Sequence, residues 1–191
     1  MAKIGMEYVV SGKLTEAADG TPSYTGGKYW GPASGFNGNP TANDAKDYGD
    51  DRVVETDTSV TGGTLSVELN ESTLELEAFL LDHTYEAEKK QMISNQNDVA
   101  PFLGTGAVGK SKRDNKIIYK GKFYYKTQFK NPNDENGTKQ ESATFNHTTL
   151  EGSIFTLPNG DWKEEQEFDT LEAAKAWLNG KVGIAAVEGG A

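Results

Sequence analysis

At 191 residues with 22 glycines, the chain is sized for one domain that buries its own core, and its wealth of turn residues favours a mainly β design. The formal net charge of −10 argues against tight binding to nucleic acid, which needs clustered Lys and Arg on the phosphates. Cysteine is absent, which excludes disulfides, a thiol nucleophile and Cys-based metal sites.

The first residues, Met-Ala-Lys-Ile-Gly-Met-Glu, hold no apolar run of signal-peptide length, and nothing later approaches a membrane span. That pattern predicts a soluble, intracellular product with no membrane partner. Met6 to Leu14 reads as a first strand, with Tyr8 and Val10 on one parity. From about residue 15 to 51 the periodicity disappears and Gly, Pro, Asn and Asp dominate, which predicts a long connection. A connection of that length inside a compact domain usually has a job. It carries Tyr24, Tyr29, Trp30, Phe36 and Tyr48, rings that either fold back over the core or anchor a contact with another subunit. Its end crowds Asp44, Asp47, Asp50 and Asp51 together, but the spacing is not that of a calcium loop, and no metal is assigned there.

Arg52 to Val60 and Gly63 to Leu69 read as a hairpin turning at Thr61-Gly62-Gly63. Leu65, Val67 and Leu69 would point inward and Ser66 and Glu68 outward, while Glu55, Asp57 and Ser59 share one acidic face. Ser72-Thr73-Leu74-Glu75 is a capping box opening a short helix with Leu74, Ala78, Phe79 and Leu81 apolar at helical spacing. His83 beyond it has no evident ligand partners. A second box, Asp169-Thr170-Leu171-Glu172, opens a helix that buries Ala174, Trp177 and Leu178 and stops at Gly180.

Between the helices, Asn115 to Lys130 alternates Ile117, Tyr119, Phe123, Tyr125, Thr127 and Phe129 with Lys116, Lys120, Lys122, Lys126 and Lys130. One face of this strand would be apolar and the other cationic. Residues 110–130 hold eight Lys or Arg and one acid, so the chain is bipolar. The cations either form a wet sheet face or meet an acidic surface on a neighbouring copy. A turn over Asn131 to Gly137 leads to a last strand region, Ser142 to Leu157, where His147 reads as a surface residue rather than a catalyst. The tail from about residue 185 to 191 should fray.

Gly104-Thr-Gly-Ala-Val-Gly109-Lys110-Ser111 matches the phosphate-loop pattern, which chance supplies about once per hundred chains of this length. Such a loop must follow a buried parallel strand and open a helix. Here charged residues follow, then the lysine strand, so the match reads as fortuitous and as a strand end and turn.

Several segments together resemble the major tail protein family of long-tailed phages that infect Gram-positive bacteria. They are Lys3-Ile-Gly-Met-Glu-Tyr8, Tyr48-Gly-Asp-Asp51, Asn97-Asp-Val-Ala-Pro-Phe-Leu-Gly104, Tyr119-Lys-Gly-Lys-Phe123, Gly137-Thr-Lys-Gln-Glu-Ser142 and Phe168-Asp-Thr-Leu-Glu-Ala-Ala-Lys-Ala-Trp177. The resemblance covers nearly the whole chain. It implies one domain over residues 1–191, a β-sandwich or half-barrel with a flanking helix and a second short C-terminal helix. It further implies hexameric rings stacked into a tail tube in the virion, assembled in the host cytoplasm. Terminator, tape-measure and tail-tip proteins would be partners, and DNA would pass through without tight binding. No enzymatic activity and no cofactor are expected. On that reading Glu55, Asp57 and Glu68 line the lumen, Lys120, Lys122 and Lys126 form a subunit contact, and Tyr29, Trp30, Phe36 and Tyr48 anchor an inter-ring loop. Two alternatives stand beside it, a β-sandwich binding module for carbohydrate or a receptor and, remotely, a phosphate-loop nucleotide-binding protein.

Overall fold

A computed structural model describes residues 2–49, 52–133 and 147–185. The chain is mainly β. In order, β1 (Ala2–Glu16), β2 (Pro22–Tyr29), β3 (Ala33–Ala42), β4 (Ala45–Gly49), β5 (Arg52–Asp57) and β6 (Val60–Leu69) precede α1 (Leu74–Leu81). Then follow β7 (Thr84–Glu86), β8 (Gln91–Ile93), β9 (Leu103–Arg113), β10 (Lys116–Phe129), β11 (Thr148–Phe155), β12 (Lys163–Phe168) and α2 (Leu171–Val182). Eight strands form one sheet in the order β2-β1-β9-β10-β11-β6-β3, all neighbours antiparallel, with β12 also on β10. β4 with β5, and β7 with β8, make two small separate ribbons.

The large sheet curls over itself and encloses a core. Val9, Leu103, Ala107 and Tyr124 from one half meet Leu65, Val67, Leu69, Leu150 and Ile154 from the other, joined by Leu76, Leu80 and Leu81 of α1. On the far side of β1, β9 and β10 lies α2, seated through Val10, Val108, Phe123, Ala174, Leu178 and Val182. β9 is therefore covered on both faces, and every residue from Leu103 to Val108 is buried. Two of its even positions, Gly104 and Gly106, leave room for the side chains that pack there. A Cβ on Gly106 would stand 2.5 Å from Leu178 Cδ2 and 2.8 Å from the Lys122 carbonyl oxygen, and one on Gly104 would collide with the rings of Tyr24 and Phe123.

The region from 15 to 51 is not the structureless connection its composition predicts, because it holds β2, β3 and β4. Gly20, Gly26 and Gly31 take positive φ, as turns and irregularities require, but three others mark close approach. Gly27 lies against Val182 and Ile184 of the α2 end, Gly35 against Glu68, and Gly38 against the Tyr124 hydroxyl. The predicted hairpin also divides differently. β5 pairs with β4, while β6 lies between β3 and β11. Gly63 sits within β6 because a Cβ there would reach 2.6 Å from the Asn39 carbonyl oxygen of β3. Leu65, Val67 and Leu69 are fully buried, as their alternation requires.

Both helices begin one residue later than their capping boxes suggest. Thr73 and Thr170 are the caps, accepting from the amides of Leu76 at 3.2 Å and Ala173 at 3.3 Å. The shift leaves Leu74 exposed and the Ser72 hydroxyl buried without a hydrogen-bond partner. α2 runs through Gly180 to Val182, and Gly183, at φ +73°, ends it with Ile184 N–H donating to the Asn179 carbonyl at 3.0 Å. The end of the turn predicted over 131–137, and the start of the strand predicted from Ser142, lie outside the described residues, as does the tail from 186.

The glycines of β9 give a test. Gly106→Val should lower stability by about 1–3 kcal/mol through overpacking against α2. Gly109→Ala, whose Cβ would meet only the Lys120 carbonyl at 3.6 Å, should change the melting temperature little. Thermal denaturation followed by circular dichroism measures both, and equal effects would refute the close approach of α2 as the reason for Gly106.

Candidate assembly surfaces

The lysine strand is β10, and it turns out of β9 through Asp114 and Asn115, both at positive φ as a two-residue hairpin turn needs. Lys120 and Lys126 find acids within the same chain. β12 pairs with β10 so that Lys120 faces Glu167 and Lys122 faces Glu165. Lys120 Nζ lies 2.9 Å from Glu165, Arg113 3.0 Å from Glu167, and Lys181 of α2 2.6 Å from Glu164. Sequence reasoning missed β12, although Glu164-Glu165-Gln166-Glu167 was its signal as an acidic complement to the lysines.

A bulge breaks the expected stripe. Tyr124 stands opposite Thr105 and Thr127 opposite Leu103, so β10 carries one extra residue there and its parity reverses. Phe123 and Tyr125 face α2, whereas Phe129 faces the sandwich core. Lys126 consequently leaves the face of Lys120 and Lys122. It binds Glu16 at 2.7 Å and stacks over Phe102 at 4.4 Å.

The aromatic anchors also separate. Trp30 is 3% exposed, packs edge-on to Phe129 at 5.0 Å and donates its indole N–H to Ser11 Oγ at 3.1 Å. Ser11, Thr105 and Thr127 continue that chain at 2.8 Å per step across β1, β9 and β10, ending on the Leu103 carbonyl. Trp30 is thus a core residue, not a loop anchor, because its neighbours satisfy both its ring and its N–H. Phe36 packs on the core beside Tyr124, at 5.9 Å. Tyr29 alone of these three is open, 49% exposed and stacked on Tyr8 at 4.9 Å. Tyr8 occupies a bulge of β1 at φ +59° and donates to Asn179 Oδ1 of α2 at 2.7 Å. The side chains of Tyr48, Glu55 and Asp57 lie outside the described residues, although their backbones run in β4 and β5.

Glu68 belongs to a distinctive surface. The outward positions of β6 are Thr64, Ser66 and Glu68, flanked in register by Gly35, Asn37 and Asn39 of β3 and by Thr149, Glu151 and Ser153 of β11. No Lys or Arg occupies any of these nine positions. The side chains are short and polar, with two carboxylates. Lys130 reaches Glu151 from the β10 end, and His147 meets Ser34 at 3.1 Å at the edge.

The phosphate-loop match lies within β9 as extended strand rather than a strand end and turn. Residues 103–112 pair with β1 on one side and β10 on the other, which commits their amides to the sheet, and Lys110 sits 3.7 Å from Glu7. His83 does have partners. Its Nδ1 is 2.7 Å from Asp98 Oδ2 and its Nε2 3.0 Å from Asn131 Oδ1, with the ring 5% exposed. Burial pulls its pKa down, but the hydrogen bonds to Asn131 and Asp98 and the charges of Asp98 and Glu77 outweigh that and hold it above the ordinary 6.5. Among the described residues, no group of three or more acidic or His side chains is arranged to hold a metal, and no helix is long and apolar enough to cross a membrane.

Comparison with protein-family models gives no match, and comparison with curated proteins gives none either.

Two outcomes follow from these contacts. Lys126→Glu sets a like charge beside Glu16 and should cost about 1 kcal/mol, read as a lower midpoint in urea. The His83 clamp, whose folded pKa is raised, contributes fully below the unfolded value near 6.5 and is lost as pH rises through the folded one. The stability gap between wild type and His83→Gln should therefore shrink as pH rises past the unfolded value and through the raised folded one. A gap that widens with pH would mean the ring is held neutral.

Proposed function

We propose that this chain is a structural subunit that polymerises as stacked, hexameric rings into a phage tail tube, a conduit for DNA passage into a host. The observation that carries the reading is the outward face of β3, β6 and β11, which offers DNA no cation at any of its nine positions. A duplex presents one phosphate charge per roughly 1.7 Å of axis, so a wall bearing Lys or Arg would hold it by counterion release. Short polar side chains with Glu68 repel weakly over about 8–10 Å, Glu151 is engaged by Lys130 at the end of β10, and transit is left with few sticking points.

The sheet ends support the same reading. Among the described residues, β2 and β3 each pair on one side only, and β1 before Val9, whose carbonyl accepts from the Trp30 backbone N–H, has no partner on its β2 side. Open edges invite another strand, and rings of identical subunits close them against aggregation. Terminator, tape-measure and tail-tip proteins as partners, and a place in the virion, belong to this proposal through the sequence resemblance.

Negative-stain electron microscopy of concentrated protein, with light scattering on the same sample, tests it. Rings or hollow tubes of one diameter are expected. A monomer that persists even with tail-tip components present would overturn the polymer and move the reading to a binding module, for which the stacked Tyr8 and Tyr29 rings offer an aromatic platform.

A further inference from the structure

Lysine ammonium groups lie over aromatic rings at several places, but among the described residues only that of Lys181 is shared by three. It stands 5.0 Å from the ring centre of Trp177, 5.5 Å from that of Phe123 and 5.8 Å from that of Tyr125, with Glu164 Oε2 at 2.6 Å. Aromatic rings and a carboxylate around one nitrogen are the means by which proteins recognise alkylammonium ligands. Here the ligand belongs to the chain itself.

The walls of this cage are held by contacts that do not involve Lys181. Phe123 is fully buried and meets Tyr24 and Tyr125 edge-on at 5.1 and 5.9 Å. Tyr24 donates its hydroxyl to the Tyr125 carbonyl at 2.9 Å, and Tyr125 donates its own to Glu164 Oε2 at 2.5 Å, which fixes ring and carboxylate beside each other. Trp177 packs on Phe168 at 5.7 Å and lies over Gly121, where a Cβ would stand 2.7 Å from its ring. β10, β12 and α2 thus set the shape of the cage without its occupant. One side is open, since the Lys181 side chain is 24% exposed and that of Glu164 36%.

The occupant fastens a weak turn. Gly180 lies in the last turn of α2 with nothing close to its Cβ position, and a helical glycine costs about 1 kcal/mol relative to alanine. Asn179 on Tyr8 and Lys181 in the cage are the polar ties of that turn to the sheet. Because Glu164 accepts a hydrogen bond from the nitrogen, the cage suits a cation that carries an N–H. We propose that Phe123, Tyr125, Trp177 and Glu164 form a binding site for primary alkylammonium groups, which the chain keeps closed with its own Lys181. The site does not depend on the tube reading, because one copy contains all of it.

Lys181→Ala removes the side chain from Cγ to Nζ, which is the outline of n-propylammonium. The variant should melt about 2–6 °C below wild type. n-Propylammonium chloride should close most of that gap with a saturable dependence on concentration. Sodium chloride, n-propanol and tetramethylammonium chloride at matched concentration should leave it open. Trp177→Ala added to Lys181→Ala should abolish the rescue, and Lys130→Ala, which removes an exposed pair with Glu151, should gain nothing from propylammonium. A gap that propylammonium leaves open, or that sodium chloride or n-propanol closes equally, would overturn the site. If Lys181→Ala does not fold, Lys181→Gln decides, because it removes the charge and keeps most of the side chain. Melting together with wild type would overturn the cage, and melting below it is the result expected.

Discussion

The burial of β9 on both faces is the constraint from which the rest of the architecture follows. One strand supplies Leu103, Thr105 and Ala107 to the sandwich and Gly104, Gly106 and Val108 to the seat of α2. Such a strand can be flanked only by strands that are themselves two-faced at the same level, and β1 and β10 are, through Val9 with Val10 and Phe123 with Tyr124. The hydroxyl chain from Ser11 to Thr127 crosses these three strands inside the core. Each member is paired, so it costs no unmet hydrogen bond and ties the strands in one register.

The β10 bulge turns a single long strand into a hinge between layers. Before it, β10 pairs with β12 under α2; after it, with β11 in the second half of the sandwich. The same bulge sends Lys126 to Phe102 and Glu16 while Lys120 and Lys122 stay opposite the acids of β12. Glu164, Glu165 and Glu167 take up Lys181, Lys120 and Arg113, whereas Lys112 and Lys116 at the exposed hairpin tip have no ion pair among the described residues.

Much of this was legible before any coordinates. The β-rich class, the two helices, the inward set Leu65, Val67 and Leu69, and the lysine strand all follow from periodicities that local sequence carries. The failures have a common cause in tertiary contact. Glycine at positions 27, 35, 38 and 63 signals a neighbour too close for a Cβ, which composition alone presents as a loop. Trp30 in a Gly-rich stretch gives no local hint that Ser11 and Phe129 await it. A one-residue bulge is likewise invisible to a period-two count, so the single lysine face was an extrapolation across Tyr125 and Lys126. Glu68 on an outward acidic position was readable from alternation, but the cation-free face around it needed the pairing of three strands distant in sequence.

The pairing of β1 with β9 has a consequence for how the subunit is made. Ser11 and Thr105, which meet at 2.8 Å, are 94 residues apart, and nothing between them can complete the double-sided centre. At about 5–20 residues per second, a ribosome needs roughly 5–20 s to supply the partner of the first strand. During that interval β1 emerges with both edges unpaired and Val9 and Val10 uncovered. Early β2 and Trp30 can cover one edge only from Val9 onward, leaving Ala2 to Tyr8 dependent on the late strand. For that interval the nascent β1 stays an open adhesive edge, and a delay in translation downstream of α1 lengthens the period in which one nascent copy can capture another.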